Sequence, residues 1–365
     1  MNADTGAILF AKDPHRSCYP ASVTKIATAL FVLDEMSQRP LTETTIASAE
    51  ALKMRSGGKK EPHWLEPDGT VMGLLRGEVV TLNDLLHGLM LVSGNDAANV
   101  LAEHLKGDVP AFMEAMNTYL KGLGCQETRF VNPHGLHHPE HITSAFDLAL
   151  MMRRALKLSA FREIVSTKSY QKPKTNKQPP KELKMNHPLF KKGKYHYPKV
   201  IGAKTGYTSQ ARHNLVAAAE HEGRTLIAVL LGCEQKGDRY EDAIRLFEEA
   251  FSEEKVEREY FPSTQQFERI LPGGLSPLRA HLASPLTLRY FPAEEPACRA
   301  LLHWDKINAP VARGAHVGQV QLVSEEGNIL ATRALIASDA VEASIWFRCK
   351  EFVNRIRLSL FGGQS

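Results

Sequence analysis

Three short runs stand in order along the chain: Ser22-Val23-Thr24-Lys25, Ser93-Gly94-Asn95 and Lys204-Thr205-Gly206. They read as S-x-x-K, S-x-N and K-T-G, and together they supply the polar groups that acyl transfer through a serine requires. A serine hydroxyl is a poor nucleophile at neutral pH unless a base lies beside it. A lysine can be that base when burial and neighbouring positive charge lower its pKa enough to leave the amine neutral. Lys25 has the position, and Lys204 can supply the charge. Ser93 can relay a proton towards a leaving amine, and Asn95 can hold Lys25 and a substrate amide. Those roles need one tight cluster. Any fold of this chain must therefore close segments about seventy and then about a hundred residues apart onto one point.

The S-x-x-K pattern recurs at Ser56, Ser169 and Ser252. Context separates them, because only Ser22 opens an apolar-periodic segment, Ile26 to Met36, that reads as a helix and puts Ser and Lys within mutual reach. Ser56 lies among glycines, Ser169 in a lysine-rich stretch, and Ser252 at the exposed end of a helix. Residues Ala7 to Phe10 are expected to form a strand after an Asp4-Thr5-Gly6 turn. A Gly-, Lys- and Pro-rich loop is expected from Ser56 to Gly77. Thr81 to Met90 reads as a helix with Thr81 as N-cap and Asp84 in its first turn. It breaks at Ser93-Gly94-Asn95 and resumes over Asp96 to Leu105. Val109 to Leu120, Ser144 to Leu156 and Asp242 to Phe251 read as further helices, and Val200 to Ala203, Leu215 to Ala219 and Leu226 to Leu231 as strands. Strands and helices mix irregularly, which predicts an α+β domain of sheet flanked by helices.

Lys204-Thr205-Gly206 continues the strand that starts at Val200. Alternation puts Lys204 and Gly206 on one side, and the bare Gly206 is expected to let a substrate approach the strand edge, where backbone groups can pair with an extended peptide. After about residue 256 the pattern changes. Val317 to Val323 and Ile329 to Ile336 flank a hairpin signal at Glu325-Glu326-Gly327-Asn328. With Leu286 to Tyr290 and a Pro272-Gly273-Gly274 turn, this predicts a small all-β domain. The expected domains are thus 1–256, 257–340 and a tail, 341–365. From Val341 to Phe361 the tail places Ile345, Phe352, Ile356 and Leu360 near one helical face, with Arg348, Lys350, Arg355 and Arg357 supplying positive charge.

A length of 365 residues with 43 % hydrophobic content supports well-filled cores. A formal charge of +4 is mild and gives no reason to expect a nucleic-acid partner. The excess is uneven, with ten lysines and one acid, Glu182, between Lys168 and Lys199, which reads as a solvated lysine face or, more sharply, as a face attracting an anionic polymer. The five cysteines, Cys18, Cys125, Cys233, Cys298 and Cys349, lack C-x-x-C spacing, so neither a zinc site nor a disulfide framework is indicated, and most are expected to be buried. His134, His137, His138 and His141 cluster around prolines in a loop without helical pairing, so no metal and no cofactor is expected. No run of about twenty apolar residues predicts a spanning helix. Met1-Asn2-Ala3-Asp4 leads into the first strand-like stretch with no secretory signal before it.

With these residues in view, the chain resembles the low-molecular-mass penicillin-binding proteins of the serine-type D-alanyl-D-alanine carboxypeptidase family. Besides the three runs, the likeness is carried by Asp4-Thr5-Gly6-Ala7, Leu91-Val92-Ser93-Gly94-Asn95-Asp96-Ala97-Ala98, Asn132-Pro133-His134-Gly135-Leu136 and Gly202-Ala203-Lys204-Thr205-Gly206-Tyr207-Thr208. The resemblance implies a penicillin-binding/β-lactamase-like transpeptidase domain, a β-rich domain after it and an amphipathic basic helix on a membrane surface. It implies peptidoglycan stem peptides ending in D-Ala-D-Ala as substrate, and β-lactams as covalent inhibitors. Ser22 would be the nucleophile, Lys25 the base, and Ser93, Asn95 and Lys204 the proton-transfer network. The backbone N–H groups of Ser22 and Tyr207 would form the oxyanion hole, and Thr205, Gly206 and Arg239 would take part in substrate binding. The implied location is the extracytoplasmic, periplasmic face of the cytoplasmic membrane, held peripherally. A DD-endopeptidase acting on crosslinks, a class A-like β-lactamase and an idle wall-binding scaffold are the rival readings. The β-lactamase lacks a convincing glutamate motif between the second and third runs, and intact Ser22, Lys25 and Lys204 argue against the scaffold.

Overall fold

A computed structural model describes residues 1–56, 60–350, 352 and 353. The chain divides into two compact units, Met1–Ser252 and Glu253–Ser365. In the first, a single 3₁₀ turn, Ala21–Thr24, runs into helix α1, Lys25–Glu35. Ile26, Ala27, Leu30, Phe31, Val32 and Leu33 are all buried, so α1 is apolar nearly all round and forms the centre of the helical layer. Strand β1, Thr44–Ile46, pairs antiparallel with β2, Val79–Thr81. Helix α2, Leu82–Leu91, starts on a capping box in which Thr81 and Asp84 satisfy each other's backbone N–H. Helices α3, Asn95–Lys106, and α4, Val109–Gly122, follow, and then α5, Ala145–Ala155, capped by Ser144, and α6, Ser159–Ser166.

The lysine-rich stretch contains an antiparallel pair, β3, Ser169–Lys172, and β4, Lys181–Lys184. Three long antiparallel strands follow in the order β5, Val200–Thr208, β6, Arg212–His221, and β7, Arg224–Cys233, and helix α7, Asp238–Phe251, closes the unit. Period-two alternation decides how this sheet is covered. Leu215, Ala217 and Ala219 of β6 pack with Tyr240, Ala243 and Phe247 of α7, whereas Val216 and Ala218 face the core around α1. The result is a sheet with helices on both faces.

The second unit is antiparallel: β8, Val256–Phe261; β9, Gln266–Arg269; β10, Leu278–Leu282; β11, Leu286–Tyr290; β12, Cys298–Trp304; β13, His316–Ser324; and β14, Ile329–Ala337. Five strands lie in the order β12-β13-β14-β10-β9, and β11 pairs with β8. The predicted hairpin is present as β13–β14. Leu278, Leu282, Val317, Leu322 and Leu335 fill its core, and Val341 and Ala343 belong to it too. Residues 345–350 are helical, while residue 351 and residues 354–361 of the expected Val341 to Phe361 helix lie outside the described residues, as do residues 57–59 of the Ser56 to Gly77 loop.

Three expectations change. Residues 7–10 form no strand: Met1 and Ala3 bond to Ile227 and Thr225, Asn2 bridges Leu226, and a turn with Gly6 at φ +80° then carries the chain away from the sheet. The lysine-rich stretch is only partly a solvated face, because Lys172 is fully buried against Glu78 at 2.7 Å. Of the five cysteines only Cys125 is buried, and Cys349 is exposed.

Candidate active site

The 3₁₀ turn before α1 holds Ser22 half-buried, and Lys25, the first residue of α1, lies fully inside. Lys25 Nζ lies 3.0 Å from Ser22 Oγ, 2.7 Å from Asn95 Oδ1 and 2.6 Å from the His134 carbonyl. Burial pushes the Lys25 ammonium well below the usual lysine range, and the charge of Lys204 pushes it further. Lys204 Nζ donates to Ser93 Oγ at 2.9 Å and to the Thr205 carbonyl at 3.0 Å. Burial first, then the Arg239 guanidinium, brings its pKa down to about 7. The three runs therefore meet in a single cluster, with two buried lysines each touching a serine hydroxyl.

The backbone is strained where the serines are presented. Ala21 has φ +51° and Ser93 φ +59°, conformations that cost energy in a non-glycine residue and persist only when their surroundings enforce them. At Ala21 the enforcement is visible. Asn214 of β6 donates through Nδ2 to the carbonyls of Tyr19 and Pro20, both at 2.8 Å, and accepts from Gly232 N–H at 2.8 Å. Gly206 lies against the same turn, and a Cβ there would stand 2.6 Å from the Pro20 carbonyl and 3.0 Å from Ser22 N. The room left by Gly206 is thus filled by the turn that carries Ser22, not left open for a ligand as expected. At Ser93, Thr70 clips the bend: its hydroxyl donates to the Ser93 carbonyl at 2.7 Å and its own carbonyl accepts from Asn95 N–H at 2.9 Å.

On β5 the side facing Ser22 carries Lys204 and Gly206, while Thr205 is half-buried and Tyr207 is exposed, stacked on His213 at 4.6 Å. Among the described residues β5 has β6 as its only strand neighbour, which makes it an edge. Arg239, at the start of α7, is buried and donates to the carbonyls of Gly206 at 3.3 Å and Asn214 at 3.1 Å. Its guanidinium grips this strand pair through backbone oxygens. Two of the clustered histidines also have local work. His141 accepts from Val131 N–H at 3.0 Å and lies 2.8 Å from the Thr24 hydroxyl, and His134 accepts from Leu136 N–H and lies 3.0 Å from the His63 carbonyl. Both rings are spent on holding the floor beneath Lys25.

Sequence reasoning passed over Asn214, the His134 carbonyl and the Thr70 clip. Asn214 had a signal, since a lone amide opening the apolar run Leu215 to Ala219 is unusual in a central strand. The other two act through backbone atoms or across a loop and leave no pattern.

The family model described as D-alanyl-D-alanine carboxypeptidase matches residues 1–235. D-alanyl-D-alanine carboxypeptidase DacA of Haemophilus influenzae is 30 % identical over 362 residues, spanning 95 % of this chain and 85 % of that protein. DacF of Bacillus subtilis is 28 % identical over 343 residues, spanning 93 % and 84 %. Among solved structures, penicillin binding protein 5 from Haemophilus influenzae superposes with a TM-score of 0.62 at 28 % identity, covering 94 % of this chain and 96 % of that one. Penicillin binding protein 6B from Escherichia coli gives 0.63 at 26 % identity, covering 92 % and 93 %. On the match over residues 1–235 and the full-length likeness to these relatives, the chain belongs to the D-alanyl-D-alanine carboxypeptidase family of serine peptidases.

Proposed function

We propose that this serine-type D-alanyl-D-alanine carboxypeptidase removes the terminal D-Ala from peptidoglycan stem pentapeptides, with Ser22 as nucleophile. The observation that carries the reading is the contact of fully buried Lys25 with Ser22 Oγ at 3.0 Å. A neutral amine there donates its two hydrogens to Asn95 Oδ1 and the His134 carbonyl, and its lone pair is left for the Ser22 proton. Ser22 Oγ then bonds to the penultimate D-Ala carbonyl carbon while Lys25 takes the proton. Charge developing on the carbonyl oxygen falls to the backbone N–H groups of Ser22 and Tyr207. The C–N bond breaks as the proton taken by Lys25 is relayed through Ser93, held by Lys204, to the departing D-Ala nitrogen, which leaves Ser93 protonated and Lys25 neutral again. Water attacks the acyl-enzyme by the same base and frees Ser22.

The substrate pairs with the open edge of β5, and its terminal carboxylate meets the Thr205 hydroxyl and the Lys204 charge. Arg239 works from behind the strand, fixing the Gly206 carbonyl and lowering the Lys204 pKa. β-Lactams acylate Ser22 because they offer the same carbonyl. Mass spectrometry after incubation with penicillin is expected to place one adduct on the peptide containing Ser22. Loss of D-Ala release by about 10⁴-fold or more is expected in Ser22→Ala. Unchanged release from that variant would remove Ser22 from the mechanism.

This substrate lies outside the cytoplasm, so the protein works there, at the outer face of the cytoplasmic membrane. Among the described residues no helix is long and apolar enough to cross a membrane. The C-terminal segment is proposed to lie on the membrane surface instead, which is supported by exposed Ile345, Trp346, Phe352 and Val353 beside Arg348 and Lys350. Removing residues from 345 onward is expected to abolish flotation with anionic vesicles and to spare hydrolysis of a soluble peptide; equal flotation would refute the anchor.

A further inference from the structure

The second unit exposes apolar side chains where one of its turns meets its C-terminal segment. Ile270 and Leu275 are 83 % and 67 % exposed, and Ile345 and Trp346 are 82 % and 73 % exposed. Single exposed aliphatic residues are ordinary, whereas adjoining ones mark a contact surface. Backbone hydrogen bonds bring these four together. Gly274 N–H donates to the Leu271 carbonyl at 3.1 Å and closes the turn that Ile270 and Leu275 flank. Leu275 N–H donates to the Glu342 carbonyl at 2.9 Å, and Ser344 N–H to the Gly273 carbonyl at 2.8 Å. The Phe347 ring covers Gly273, which has φ +77°, so a side chain at 273 would collide with it. The turn is built into the domain and stands beside the start of the helix.

Charge surrounds this apolar centre. Arg348 and Lys350 are exposed on the helix. Lys306 is exposed on a loop joined to the turn by Ala309 N–H to the Pro272 carbonyl at 3.3 Å and Arg269 Nη1 to the Asp305 carbonyl at 3.1 Å. Of the nearby acids, Asp305 is engaged by His316 at 2.9 Å and Glu268 by Arg279 at 3.4 Å, and Glu342 remains in the rim.

We infer that the turn bearing Ile270 and Leu275 is a second membrane contact, entering the interface of an anionic bilayer beside the C-terminal helix. The inference rests on the membrane reading of that helix and extends it to the folded domain. The binding of an amphipathic segment grows with the apolar area it buries and with its attraction to anionic lipid, so a second apolar contact beside it strengthens attachment. A turn already fixed by its own hydrogen bonds adds apolar contact with little ordering cost. Two separate points of contact also fix how the unit is held, which a lone helix on a single connection does not. Cations around an apolar centre match anionic headgroups above acyl chains better than an apolar protein groove.

The test is flotation of the full chain with vesicles of phosphatidylethanolamine and phosphatidylglycerol, and with phosphatidylcholine vesicles for comparison. Ile270→Ser/Leu275→Ser is expected to lower partitioning by about tenfold or more while hydrolysis of a soluble peptide is unchanged. Lys306→Glu is expected to weaken binding to phosphatidylglycerol vesicles and leave phosphatidylcholine binding as it was. Wild-type flotation by the double serine variant, with loss in a chain ending at Ser344, would overturn this inference and leave the helix anchor standing. Failure of the wild-type chain to float would overturn both. A dimer lost in the double variant with flotation unchanged would assign the patch to a second copy and also overturn it.

Discussion

The base role proposed for Lys25 depends on the fold removing it from water while leaving Ser22 only half-buried. Lys25→Arg puts a fixed charge where the neutral amine stands and cannot take the Ser22 proton, so acylation by penicillin is expected to fall by about 10³-fold or more with the fold intact. Stopped-flow acylation beside circular dichroism separates these outcomes. Lys204 makes a second prediction at this scale. Its folded pKa is about 7 against 10.5 for a free lysine, so between those values the unfolded chain binds more protons. Stability contributed through Lys204 therefore rises with pH across that window, and the native state carries the cost of a buried charge below it. Thermal unfolding of Lys204→Met against wild type should show a smaller rise between pH 7 and pH 10. The cluster of Ser22, Lys25, Ser93, Asn95 and Lys204 was legible as a candidate site because serine, lysine and the K-T-G run have fixed chemical uses. The contacts of Asn214 and Arg239 were less legible, since both side chains bond backbone carbonyls that the sequence does not display.

Elements bring those residues together through two contacts of unequal visibility. The first is β5 against the Ser22 turn, where Gly206 must lack a side chain. Gly206→Ala should push the turn away and lower the acylation rate by about 10²-fold, with a smaller change in melting temperature. The second is the grip of the lysine-rich segment on the loop preceding β2. Glu78 accepts from Lys172 at 2.7 Å, Thr175 at 2.9 Å and Gln178 at 2.6 Å, and Lys181 reaches the Met72 carbonyl at 2.7 Å. The same loop sends Met72, Gly73 and Leu74 N–H groups to Asp96, one residue after Asn95. Lys172→Met would strand a buried carboxylate and is expected to cost about 3–5 kcal/mol in chemical denaturation, with Lys172→Met/Glu78→Gln recovering part of it. Helix positions followed from caps and apolar spacing, as at Thr81 and Ser144. The strand expected over Ala7 to Phe10 failed because alternation cannot tell a sheet edge from a segment that leaves it after three residues. Lys172 was missed for a related reason: lysine composition describes a face, not the one side chain that turns inward.

At the scale of the whole molecule, two units each bury their own core, one around α1 and the long sheet, the other among the antiparallel strands. Every side chain of the proposed mechanism lies in the first unit. Met1–Ser252 alone is therefore expected to hydrolyse a soluble D-Ala-D-Ala peptide within about threefold of the full chain and to lose vesicle binding, as measured by steady-state kinetics and flotation. The units divide after Ser252, and the sequence pattern changes near residue 256. The burial of Val341 and Ala343 in the second core was not legible, because a short extended segment there reads like the start of the tail. The central claim is that two buried lysines activate Ser22 to release one D-Ala from a stem pentapeptide. Mass spectrometry of muropeptides digested by the wild-type and Ser22→Ala chains tests it most directly. Conversion of pentapeptide to tetrapeptide by the wild type alone is predicted. Pentapeptide left intact while crosslinked dimers are cut, or conversion that persists in Ser22→Ala, would contradict it.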